Sequence, residues 1–151
     1  MWFSNGKIIR RFIALPWARK REILWLARKL IWIDRQLKLC GLVSARKALL
    51  ELPDLPNNLF VDISPRQIAR TLDQAARISI GKNETCLRRS LLLWWILTKR
   101  CAQPQLRVGV ALRDGNLKAH AWVEIDGQPV NEKMNISNLY KPIELGAFPS
   151  Q

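Results

Sequence analysis

The stretch that decides the fold is residues 83–133, NETCLRRSLLLWWILTKRCAQPQLRVGVALRDGNLKAHAWVEIDGQPVNEK. Asn83 suits a helix cap, which puts Glu84, Thr85 and Cys86 in a first turn. Leu87, Leu91, Trp94 and Leu97 then recur on one helical face, while Leu92, Leu93 and Trp95 make the helix apolar nearly all round. A helix of that kind belongs inside a core. Pro104 separates it from the next segment. Leu106, Val108, Val110 and Leu112 alternate with Arg107, Gly109 and Ala111, the period of a strand. Asp114-Gly115 is a strong hairpin signal. Leu117, Ala119, Ala121, Val123 and Ile125 alternate with Lys118, His120, Trp122 and Glu124, and Asp126-Gly127 marks a second hairpin. The pattern predicts a buried helix followed by a three-stranded antiparallel meander, an α+β fold.

Upstream, Ser64-Pro65-Arg66-Gln67 reads as a helix start. Ser64 can cap, Pro65 suits the first helical position and Gln67 completes a capping box. Ile68, Leu72, Ala75 and Ile78 make the inward face. Residues 52–63, LPDLPNNLFVDI, form a Pro/Asn connector, either a loop or a linker. Residues 17–39 carry a helical pattern with Leu26, Leu30, Ile33 and Leu37 on one face and Trp17, Trp25 and Trp32 widening it. Gly41 is the expected stop, and a shorter helix over 43–51 ends before Pro53. Beyond residue 134, Pro142 and Pro149 imply an extended tail. The organisation expected is one domain over 1–151: a basic helical part at 1–51, a core at 60–133 and a tail at 134–151.

A length of 151 residues is enough for one real core, and an apolar content of 48% excludes a disordered chain. The net charge of +13 is uneven. Residues 1–50 hold twelve Lys and Arg against two acids, a net of +10, and residues 51–151 hold thirteen against ten, a net of +3. The basic excess therefore belongs to the N-terminal third, which fits an acidic partner or a solvated helix face. The face of residues 17–39 is first read as packed on the domain, with a peripheral membrane contact and a partner-docking surface as alternatives. A non-catalytic basic binding module is one reading of the whole chain, although no nucleic-acid partner is favoured. Cysteines 40, 86 and 101 form no Cys-x-x-Cys pair and are odd in number, so a reducing, cytoplasmic setting is expected rather than a disulfide framework. One histidine and three scattered cysteines make no zinc site. The early apolar run is short and interrupted by Arg10 and Arg11, so no secretory signal is read. No run of about 18 apolar residues is present to span a membrane.

A cysteine and a histidine brought together by the fold are the minimum for thiol nucleophilic catalysis. Alone, each has an ordinary reading, the cysteine as a small core residue and the histidine as a hydrogen-bonded strand residue. At a helix start, however, unpaired N–H groups and the helix dipole favour thiolate at Cys86 and can hold an oxyanion. Cys40 and Cys101 lie near helix ends that disfavour an anion and are read as structural. His120 is the only histidine. A two-residue turn at Asp114-Gly115 sets it opposite Gly109, where a missing side chain leaves room for the ring or a substrate backbone. It shares its face with Trp122 and Glu124. Trp122, Glu124 and Gly109 are therefore the candidate substrate contacts. The third member depends on register. A two-residue turn at Asp126-Gly127 pairs His120 with Lys133 and turns Asn131 to its face, whereas a three-residue turn faces Glu132 to it.

Two blocks in this stretch, Thr85-Cys86-Leu87 and Ala119-His120-Ala121-Trp122-Val123-Glu124, together with the Gly109-Val110 strand, resemble the transglutaminase-like leader peptidases of lasso-peptide biosynthesis. Those are the stand-alone form of the C-terminal half of the microcin-maturation protease. The resemblance covers roughly residues 60–133. It implies a papain- and transglutaminase-like core and a cysteine peptidase that removes the leader from a ribosomally made precursor. Cys86 would be the nucleophile, His120 the base, and Glu132 the acid, since the family carries an Asp at that distance after its His. Asn131 stays as the alternative third member. It also implies no cofactor, and as partners the precursor peptide, a separate small leader-recognition protein and an asparagine-synthetase-like lasso cyclase. Amide crosslinking of the transglutaminase type is the alternative chemistry at the same site.

Overall fold

The computed structural model describes residues 13–79, 86–100, 102–133 and 135–143. The first helix, α1 (Trp17–Leu50), is broken at Gly41, whose φ of 74° and ψ of −179° are close to glycine-only backbone. The break divides it at the position expected from the sequence. Ile23, Leu26, Leu30 and Ile33 of the long arm and Ala45 and Leu49 of the short arm are buried. Trp17, by contrast, is 76% exposed and does not extend the packed face.

The connector after α1 is a packed loop. Phe60 adopts a φ of 58° and is wholly buried. Its N–H donates to Glu22 Oε1 at 3.2 Å, and its carbonyl accepts from Arg100. Trp25 meets Phe60 edge-on and stacks on Trp95, each at 6.0 Å between ring centroids.

Helix α2 (Pro65–Ser79) opens with the predicted capping box. Gln67 N–H donates to Ser64 Oγ at 3.3 Å, and Ser64 N–H donates to Gln67 Oε1 at 2.7 Å. Ile68, Leu72 and Ala75 are buried as the periodicity requires, but Ile78 is exposed.

Helix α3 (Cys86–Lys99) is the centre of the molecule and touches α1, α2 and the sheet. Leu91 through Leu97 are all buried. Its first turn is tied outward by two ion pairs, Arg88 to Asp34 of α1 at 2.6 Å and Arg89 to Asp73 of α2 at 2.7 Å. Arg88 is itself buried, and a buried cation is tolerable only when paired in this way.

The sheet holds β1 (Gln105–Arg113), β2 (Asn116–Ile125), β3 (Gln128–Pro129) and, after the short helix α4 (Ile136–Leu139), β4 (Lys141–Ile143). The order is β3-β2-β1-β4, antiparallel throughout. Both Asp-Gly turns are two-residue loops with positive φ at each residue, about 51° to 73°, as type I′ hairpins require. Two expectations are corrected here. The meander gains a fourth strand, because part of the expected tail, residues 141–143, pairs with β1. Pro142 is accommodated because β4 is an edge strand. In addition, β3 is only two residues long and leaves the ladder where the sequence pattern continues it.

Candidate active site

Cys86 begins α3, while His120 lies in β2 opposite Gly109. Glu132 lies just past β3, and its Oε1 is 2.8 Å from His120 Nε2. The Cys86 thiol lies on the same imidazole, and each of the two groups shifts the titration of the other. The three side chains are partly buried. Burial alone would push the Cys86 thiol up. The hydrogen bond from His120, the N–H of Ala121, the imidazolium charge and the N–H of Leu87 outweigh it and hold the thiol below its ordinary range. His120 moves the other way, to about 9, through its hydrogen bonds with Cys86 and Glu132, and against the effect of burial. The two groups shift each other, the imidazole toward its charged form and the thiol toward thiolate.

The way Glu132 arrives differs from the register expected. Asp126-Gly127 is a two-residue turn, the arrangement expected to bring Asn131 to the histidine. Instead the strand swings away after Val130, whose N–H still donates to Val123 O at 2.8 Å. The next ladder bond is made by a side chain: Val123 N–H donates to Asn131 Oδ1 at 2.8 Å. Asn131 Nδ2 donates in turn to Ser90 Oγ at 3.1 Å, and Ser90 Oγ donates to Ala121 O at 2.9 Å. Asn131 thus ends the pairing of β3 on β2 and frees residue 132 to reach across to His120. Ser90 is one helical turn beyond Cys86, so the same face of α3 carries the thiol and the anchor of the acid's loop. A cleft of about 500 Å³ opens beside this loop, lined by Arg66, Ala69, Arg70 and Asp73 of α2 and by Asn131 and Glu132, among others.

The candidate substrate contacts have a different place. Trp122 is wholly buried and donates from Nε1 to Glu124 Oε1 at 2.7 Å. Glu124 is buried too, and also accepts from Arg107 Nε at 3.0 Å and Ser137 Oγ at 3.2 Å. The space over Gly109 is filled by the molecule itself. A Cβ there would lie 2.9 Å from Lys141 O, 3.0 Å from the Trp122 ring and 3.0 Å from Tyr140 Cβ. These three residues hold the histidine's surroundings together and are closed to a substrate.

Tyr140 carries no signal in the sequence for a place at the site. Its ring lies 5.2 Å from that of His120, with Trp122 stacked at 6.3 Å, so two aromatic rings fix the imidazole plane. Ser90 is a second residue that sequence reasoning missed, although its spacing of four from Cys86 is a legible signal. Of the remaining cysteines, Cys40 is exposed at the α1 break rather than packed, and Cys101 lies outside the described residues, as does the expected cap Asn83. Among the described residues, no group of three or more His, Cys, Asp or Glu is placed to hold a metal ion, and no helix is long and apolar enough to cross a membrane.

A helix-start thiol hydrogen-bonded to a strand histidine that is itself bonded to a carboxylate defines the class: an α+β protein with a cysteine–histidine–acid arrangement on a buried helix and an antiparallel sheet. The family follows from the sequence match. Residues 22–144 match the model of the Transglutaminase-like superfamily, and the chain belongs to that superfamily. No curated protein and no solved structure matches it.

Proposed function

We propose that the chain is a cysteine peptidase that removes the leader from a ribosomally synthesised lasso-peptide precursor. The observation that carries the acyl-transfer chemistry is the Cys86–His120–Glu132 arrangement, with its thiol lowered and its imidazole raised. The substrate rests on the resemblance of the Thr85-Cys86-Leu87 and Ala119–Glu124 blocks to the leader peptidases. Cys86 Sγ attacks the carbonyl at the leader–core junction. The imidazolium of His120 gives its proton to the departing amine, which becomes the free N-terminus of the core. The leader then remains as a thioester on Cys86. His120, now neutral, takes a proton from water, which attacks the thioester and releases the leader carboxylate. Glu132 holds the imidazole's orientation and stabilises its charged form.

A separate leader-recognition protein presents the precursor in this scheme, and a lasso cyclase uses the freed core. The superfamily also accommodates attack of the thiol on a glutamine side-chain amide, which expels ammonia, and transfer of that acyl group to an amine. Intact mass distinguishes the two, because hydrolysis splits the precursor into leader and core, whereas crosslinking joins chains with loss of ammonia. Incubation with precursor and recognition protein tests the reading; uncleaved precursor, with or without a crosslinked product, would reject it.

A further inference from the structure

We propose that the outer face of α1 is a docking surface for an anionic lipid bilayer, with the helix lying along the headgroup layer. The stripe Trp17, Arg21, Leu24, Arg28, Ile31, Arg35 and Lys38 recurs at alternating spacings of four and three. At 3.6 residues per turn it occupies about a third of the helix circumference. All seven residues are exposed, including Trp17 at 76%, Leu24 at 49% and Ile31 at 43%. From Trp17 to Arg35 every second position is thus a large apolar side chain followed by an arginine, and Lys38 ends the stripe with a further cation. The stripe contains no acid. Of the two acids of residues 1–50, Glu22 bonds Arg19 and the Phe60 N–H, and Asp34 bonds the buried Arg88 and also Lys38 at the end of the stripe; Arg21 donates to Asn58 O at 3.0 Å, which leaves Arg28 and Arg35 as the cations at the centre of the stripe.

The alternation favours a bilayer over a partner helix. A helix packed into this seam would desolvate an arginine at each alternate position, and each would need an acid in fixed register. A headgroup layer offers laterally mobile phosphates and carboxylates that meet every arginine without register. Arginine stems can lie along the apolar residues while the guanidinium heads stay in the headgroups. Trp17 suits the same boundary. This surface is independent of the proposed peptidase activity.

The test is co-sedimentation of the full chain with vesicles of phosphatidylcholine alone and with vesicles that are about one third phosphatidylserine, over a series of salt concentrations. The expected result is salt-sensitive binding to the anionic vesicles, at least about ten-fold stronger than to neutral ones. Arg28→Glu with Arg35→Glu should weaken it by at least about ten-fold, while the same charge change at Arg77→Glu with Lys118→Glu weakens it by about three-fold or less. Leu24→Ser with Ile31→Ser should weaken it at unchanged charge, and that pair decides the matter if the charge-reversed chain fails to fold. Equal losses in the two charge-reversed variants, or no preference for anionic vesicles, would overturn the proposal. So would tight binding of an acidic amphipathic peptide to the stripe by a chain that ignores both vesicles.

Discussion

Replacing Glu132 by glutamine keeps the side-chain shape and removes the charge that faces His120 Nε2 at 2.8 Å. Leader cleavage in single turnover should fall roughly ten-fold to ten-thousand-fold, the range for losing an orienting carboxylate. Asn131→Ala should act by a different route. It leaves the Val123 N–H without its acceptor, so it should lower stability by about 1–3 kcal/mol as well as activity. Denaturant melts of the two variants separate these effects, and a loss of stability with Glu132→Gln but not with Asn131→Ala would contradict the assignment. The titrations give a second test. Cys86 is lowered, so its thiolate persists below the ordinary thiol range and is lost as pH falls through the lowered value. His120 is raised from 6.5 to about 9, so the imidazolium's contribution is complete below 6.5 and is lost as pH rises through about 9. The two groups titrate as one pair. Alkylation should therefore modify Cys86 before Cys40, and His120→Ala should move the Cys86 titration upward, because burial then acts with less to oppose it. Identical pH profiles for Cys86 and Cys40 would remove the case for an activated thiol.

At the scale of elements, the parts legible in the sequence are those set by local chemistry. The capping box at Ser64, the break at Gly41, the all-round apolar α3 and both Asp-Gly turns each depend on residues within a few positions of one another. The sheet's second face was not legible. Alternation along β2 predicts one solvated face, yet Ala121, Trp122, Val123 and Glu124 are all buried: Ser137 of α4 bonds Glu124, and Tyr140 packs beside His120 on that side. That cover comes from a segment whose prolines read as tail. The same long-range contact explains why Gly109 has a close approach to residues 140–141 rather than a vacant space. Gly109→Ala must displace backbone at Lys141 and should destabilise the fold by about 1–3 kcal/mol. Thermal unfolding measures the loss, and an unchanged Tm would mean that β4 does not hold this strand. The acid of the site is legible through a family spacing, not through register, since a side chain, Asn131, replaces a ladder bond and no periodicity encodes that substitution.

For the molecule as a whole, charge and chemistry are separated. The basic excess lies in residues 1–50, whereas Cys86, His120 and Glu132 sit on α3, on β2 and in the loop after β3. The isolated chain should cleave its precursor slowly, and a leader-recognition protein should accelerate it; equal single-turnover rates with and without that protein would reject the presentation step. In the proposed reaction Cys86 carries the acyl group during leader removal. Mixing the full chain with precursor and recognition protein, quenching in acid and measuring intact mass reads that step. The wild-type chain should show a leader-sized thioester adduct that maps to Cys86 and decays as free leader appears. Cys86→Ala should show neither adduct nor cleavage, while Cys40→Ala shows both. Full cleavage by Cys86→Ala would rule out Cys86 as the acyl carrier.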